Sequence, residues 1–215
     1  MSEIRSSRSE QTRARILSAA EKIFAEKGLD GARVDEIADA AKTNKRMLYE
    51  YYGSKEGLYG EVLRRVYQRL GDCERFFTTD EFTGTSVIGA IRPLVDAYLN
   101  FVRSDEIYVR MVMWENLYGA RHFDEYGLGT VRDPMKKALS RLLQSGKDAG
   151  IFRPDAEEDQ VLMTIFACTF NYFSNIHTMT RVMGSDLASD EQIARRAAQI
   201  TEMLTCYLTA GMTAG

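Results

Sequence analysis

Cysteine, proline and histidine are scarce in this chain, at three, three and two among 215 residues. The cysteines, Cys73, Cys168 and Cys206, are odd in number, far apart and without CxxC spacing. That excludes a disulfide framework and fits reduced thiols acting as small apolar residues. His122 and His177 have no acidic ligand at useful spacing, so no metal site is expected. No apolar run approaches the roughly 18 residues that cross a bilayer. The opening MSEIRSSRSE is polar, without the apolar stretch of a secretory signal, so a cytoplasmic location is expected. There is no GxSxG, no P-loop and no Cys/His nucleophile pair, so no enzyme and no cofactor are expected.

With so few prolines, long segments are free to be helical. Apolar residues recur every three to four positions and no segment alternates as a strand would, so the chain is expected to be all-α. The net charge of −3 is unevenly spread. Residues 1–55 carry eleven basic and nine acidic side chains, the remainder 17 and 22. Such asymmetry lets one end approach a polyanion while the body stays soluble.

A first helix is expected from Ser9 or Thr12 to Gly28, with Ile16, Ala20, Ile23 and Phe24 on one face. A second covers residues 34–41, with Asp35 and Glu36 in its first turn. A third covers 44–51 and is broken by Gly53. Ser54 caps a fourth, whose stripe is Leu58, Val62, Val66 and Leu70, with Gly57 a blemish in its first turn. The Thr-rich TTDEFTGTS separates this part from the rest. Beyond it come helices kinked near Pro93, ending at Gly150, and running about 157–183 and 189–210. Function is expected to divide the chain into residues 1–56, a three-helix helix-turn-helix domain, and residues 57–215, a helical bundle for ligand binding and dimerisation.

The second and third helices, joined by about three residues, have the helix-turn-helix pattern. Ile37, Ala41, Leu48 and Tyr52 pack inward. Asn44, Lys45, Arg46, Met47 and Tyr49 are left for the turn end or outer face, which suits a DNA major groove. The helix N-terminus and Lys45 suit phosphates, and Arg46 a guanine edge. Tyr49 and Tyr51 offer hydroxyls and rings, and Lys55 a further phosphate contact. Arg5 and Arg8 fit either a backbone-binding arm or a solubilising tail.

The stretch RILSAAEKIFAEKGLDGARVDEIADAAKTNKRMLYEYYGSKEGLYGEVL, residues 15–63, resembles the DNA-binding domain of the tetracycline-repressor (TetR) family. The family pattern is ILxAAxxLFxExGxxxTTVxxIAxxAGVSxGxLYxYFxSKExL. The resemblance implies a homodimer that represses transcription at a palindromic operator and is released by a small-molecule effector. An activator, or an effector-independent regulator of the same fold, is the alternative. Several residues depart from the pattern. Lys42 stands at the turn glycine, Thr43 at an apolar turn residue, and Arg33 at the cap of the second helix, where it gains a phosphate-binding guanidinium. Tyr52 replaces phenylalanine, and Arg46 and Met47 replace small residues.

In the family the last two helices form a four-helix dimer interface. Leu162, Phe166 and Phe173, with Ile193, Ala197, Ile200, Leu204 and Leu208, are expected there. An effector pocket would lie between helices, with Tyr98, Arg110, Met111, Trp114, Tyr118, His122, Phe166, Phe170, Asn171 and His177 as candidates. Trp114 and Tyr118, four apart, are the best pair.

Overall fold

The structure is a computed structural model and describes residues 2–75, 86–129 and 133–211, without the side chains of 2–8, 74–75 and 133–135. All of TTDEFTGTS but its final Ser86, and the Arg5 and Arg8 side chains, therefore lie outside the described residues. Eleven helices and no strand are found among them. They are α1 (Ser2–Gly31), α2 (Val34–Ala40), α3 (Lys45–Tyr52), α4 (Lys55–Arg75), α5 (Ile91–Ser104), α6 (Glu106–Leu117), α7 (Arg121–Glu125), α8 (Asp133–Asp148), α9 (Glu158–Ser174), α10 (Ile176–Met183) and α11 (Asp190–Thr209).

The chain packs as two compact units. The first joins Met1–Arg69 to Ile107–Gly129, and the second joins Leu70–Glu106 to Thr130–Gly215. These differ from the expected division after residue 56: most of α4 and a distant segment containing α6 and α7 belong with the helix-turn-helix.

Three expectations about helix ends are corrected. First, α1 begins at Ser2, not Ser9, because nothing in SEIRSSRSE breaks a helix. Ser9 does not cap; its Oγ donates to Tyr51 Oη at 3.0 Å. Second, Pro93 does not kink its helix. It falls in the first turn of α5, where no intrahelical N–H bond exists to be lost. Third, the segment expected as one helix over 157–183 is broken at Asn175, with φ −112° and ψ 9°. The Asn175 side-chain nitrogen donates to Asn171 O, Asn171 Oδ1 and Ser174 Oγ, a local alternative to continuing the helix.

Other expected boundaries hold. Asn44 Oδ1 accepts from Met47 N–H at 3.0 Å, capping α3. Ser54 Oγ accepts from Gly57 N–H at 2.9 Å, capping α4. The Gly57 blemish has a reason: a Cβ there would lie 2.3 Å from the Tyr52 carbonyl oxygen. Lys42 takes the left-handed turn conformation with φ 51°. That conformation costs a non-glycine about 1–2 kcal/mol, while a glycine's extra unfolded freedom costs about 0.4–1 kcal/mol. Lys42→Gly is therefore expected to raise stability by about 0.5 kcal/mol, read as a gain of about 1–2 °C in Tm by calorimetry.

In the first unit Ile16, Ala20 and Phe24 of α1 are fully buried, as are Ile37, Leu48, Leu58 and Val62. Lys27 Nζ bonds both Glu36 carboxylate oxygens at 2.9 and 3.0 Å, tying α1 to α2. This lysine holds the Glu36 carboxyl below the ordinary carboxylate range. In the second unit α5 is the central helix. Its Leu94, Val95, Tyr98, Leu99 and Val102 are buried where α9 and α11 pack on it.

Candidate nucleic-acid interface

The recognition face is built from the α3 backbone outward. Leu48, with 0% exposure, anchors the helix to the core. Tyr52 Oη donates to the Arg13 carbonyl at 2.9 Å, which gives the extra hydroxyl its partner. Burial pushes this phenol above its ordinary pKa, so it stays neutral. With Leu48 turned inward, Lys45, Arg46, Tyr49 and Glu50 are exposed together on α3.

The expected DNA-facing residues divide into two groups. Arg33, Asn44, Lys45, Arg46 and Tyr49 are exposed. Arg33 occupies the N-cap position of α2 and makes no side-chain cap bond, as its replacement of a hydroxyl residue implied. Lys45 Nζ lies 3.3 Å from Asp35 Oδ1, but both side chains are well exposed. Such a pair is worth at most about 1 kcal/mol and yields easily to a phosphate.

The second group is more committed to the protein itself. Thr43 and Met47 are half-buried. Tyr51 accepts from Ser9, and the Arg13 guanidinium sits 5.9 Å from its ring centroid. Lys55 Nζ donates to the Ala32 carbonyl at 3.3 Å. Tyr51 and Lys55 thus make contacts within the head itself. The sequence reading missed Glu50 and Arg13. Glu50 stands four residues after Arg46, a spacing that places both on one helix face.

The segment carrying α6 and α7 grips this head. Trp114 Nε1 donates to the Ala25 carbonyl at 3.2 Å, and Tyr118 Oη accepts from Asp30 N–H at 3.4 Å. Tyr126 Oη donates to the Glu56 carbonyl at 2.9 Å. Beneath them lies a buried polar cluster. Glu115 Oε1 accepts from Tyr59 Oη at 2.9 Å and from His122 Nδ1 at 2.8 Å. Arg121 Nε donates to His122 Nε2 at 3.2 Å, which assigns the imidazole proton to Nδ1. Burial, then the Glu115 carboxylate, push the Tyr59 phenol far above its ordinary pKa. Glu115 Oε2 is buried without a hydrogen-bond partner.

The expected pocket residues fall in both compact units, and of those in the second, Asn171 lines a groove of about 440 Å³. Trp114 and Tyr118 stack on each other, centroids 6.0 Å apart, and are spent on holding α1. Met111 and His122 are buried in the first unit, while Arg110 is exposed. Tyr98 is buried in the second unit. Phe166 and Phe170 stack there with centroids 5.0 Å apart. Asn171 and His177 are exposed. Aromatic spacing on a helix marks packing as readily as a pocket wall.

The last helix also departs from expectation. Ile193, Ala197, Ile200, Leu204 and Leu208 are all buried within the chain itself, so they are core and not a surface for a partner. Leu162, Phe166 and Phe173 are half-buried. The exposed large apolar residues of α9, α10 and α11 are Met163, Met179, Val182, Met183, Met203 and Tyr207. Among the described residues no helix is long and apolar enough to cross a membrane.

A capped recognition helix with a basic outer face, following a short turn from α2, defines a helix-turn-helix DNA-binding head. Residues 16–62 match the model of the bacterial regulatory proteins of the tetR family. Residues 88–204 match the tetracyclin repressor-like C-terminal domain, so the chain belongs to the TetR family. It is 29% identical over 189 residues to the HTH-type transcriptional repressor NicS of Pseudomonas putida, covering 87% of this chain and 88% of that one. It is 27% identical over 199 residues to the HTH-type transcriptional repressor SCO4008 of Streptomyces coelicolor, covering 90% and 96%. Its fold is shared with a TetR-family transcriptional regulator from Mesorhizobium loti, with TM-score 0.69, 20% identity and coverage of 94% and 99%.

Proposed function

We propose that this chain is a transcriptional repressor that binds a palindromic DNA operator as a homodimer and is released by a small molecule. The observation that carries the reading is the exposed Lys45–Arg46–Tyr49 face on α3, with Leu48 locking the helix behind it. Lys45 and Tyr49 take phosphates, and Arg46 reads a base edge. Glu50 accepts from a cytosine amine and repels a misplaced phosphate. Relatives named as repressors support the sign of the regulation.

The dimer forms through the exposed methionine-rich face of α9, α10 and α11, not through the buried stripe of α11. A groove of about 440 Å³ lined by Tyr172, Met179, Met183, Leu187 and Arg196 runs along this face, where a second copy closes it. The effector acts by binding the second unit more tightly in one spacing of the two heads than in the other. Two recognition helices about 34–36 Å apart enter successive major grooves, and a shift of a few Å spoils both.

The test is a gel shift on the chain's own operator, selected from genomic fragments, with sedimentation run in parallel. Lys45→Ala is expected to weaken binding about tenfold, one to two kcal/mol, while the protein still sediments as two copies. Unchanged affinity for the variant would remove Lys45 from the interface. A wild-type protein that retains no genomic fragment would sink the whole reading.

A further inference from the structure

The head carries a second basic surface that the recognition helix does not use. An open groove of about 620 Å³ runs between α1 and the end of α2 with its following turn. Arg15, Lys22 and Lys42 line it, and no carboxylate does. Arg15 and Lys22 are seven apart on α1, two helical turns on one face, about 10 Å along the axis. Ser18, Ala19 and Ile23 complete the α1 wall, and Ala40 and Ala41 lie opposite.

Every charged residue that lines the groove is basic. Of the acidic residues of α2, Asp35 pairs with Lys45 and Glu36 with Lys27, and Asp39 is exposed beside Ala40 without lining the groove. Among the described residues neither Lys22 nor Lys42 has an ion-pair partner. Lys42 also holds its position at φ 51°, where glycine would sit without strain. Strain kept at a charged, exposed residue points to a use for its side chain. Lys42, at one edge of the groove, lies two residues before Asn44, the cap of α3.

We propose that this groove is a second, sequence-independent phosphate site that holds the sugar-phosphate backbone alongside the half-site. Arg15, Lys22 and Lys42 each take a phosphate. The proposal rests on the DNA-binding reading above. It adds three ionic contacts per head to those made by α3, and it places affinity, not sequence choice, on α1.

The experiment measures anisotropy of a labelled mixed-sequence duplex, about 40 base pairs long, across salt concentration with the full-length protein. The proteins are the wild type, the double variant Arg15→Ala/Lys22→Ala, Lys42→Gly and Lys45→Ala. Arg15, Lys22 and Lys42 are exposed, and circular dichroism confirms that each variant is folded. Two lost phosphate contacts make the slope of log affinity against log salt shallower by about 1.8 for each bound head. The wild type then loses roughly twelvefold more affinity per head than the double variant between about 50 and 200 mM salt. Lys42→Gly is expected to flatten the slope by about 0.9. If the groove variants keep the wild-type slope while Lys45→Ala lowers it, the groove is not a DNA site, though the α3 reading stands. If the wild type shows no salt-dependent binding, the DNA-binding reading falls and the groove with it.

Discussion

Gly28→Ala is expected to lower Tm by roughly 10 °C, about 3–5 kcal/mol, in a thermal scan of the full-length protein. Two costs combine. Gly28 has φ 69° and ψ 179°, a region that is essentially glycine-only. In addition, an added Cβ would lie 2.7 Å from Tyr118 Oη and 2.9 Å from a ring carbon of Trp114. The two costs can be separated. Tyr118→Phe removes the hydroxyl in the way, at the loss of its weak 3.4 Å bond from Asp30 N–H. The double variant Gly28→Ala/Tyr118→Phe should therefore be less destabilised than the sum of the singles. Strict additivity would mean that the Tyr118 hydroxyl is not what the glycine accommodates.

Glu115→Ala is the second large effect, an expected loss of about 3–5 kcal/mol and again roughly 10 °C in Tm. The carboxylate is 3% exposed and is the shared acceptor for Tyr59 and His122. Removing it strands two buried donors and opens a cavity beneath the aromatic rings around Tyr59. Glu115→Gln keeps an acceptor where Oε1 now lies and removes a buried charge whose other oxygen has no partner. It is expected to cost much less, about 1 kcal/mol. Equal losses for alanine and glutamine would show that the charge itself, not the shared acceptor, holds the cluster.

Local punctuation was the readable part of the fold. Asn44, Gly53 and Ser54 each act through bonds or φ values within a few residues, and Gly28 was legible through its φ but not through the Trp114 and Tyr118 rings packed against it. The left-handed turn at Lys42 could be foreseen because the family resemblance puts glycine there. The exposed face of α3 was legible for the same reason: eight residues around one buried leucine leave few choices. What the sequence hid was partnership at a distance. Trp114 and Ala25 are 89 positions apart, and nothing local to either announces the bond between Nε1 and the carbonyl. The stripe from Ile193 to Leu208 shows that one face of α11 is covered, but periodicity says nothing of which chain covers it. The covering helix is α5 of the same chain, so the surface proposed for a second copy lies among residues outside the stripe.

The grip of residues 107–129 on the head bears on how the head can be transplanted. A cut after Ser54 or Glu56 looks natural on paper, since the family pattern ends nearby. Such a cut would remove Tyr59 together with its acceptor Glu115, leave the Ala25 carbonyl without Trp114 and, after Glu56, leave the Glu56 carbonyl without Tyr126. The portable DNA-reading module is therefore discontinuous, made of two stretches of chain. A chimera that borrows this protein's operator choice must carry both stretches, or replace the second with an equally shaped set of rings.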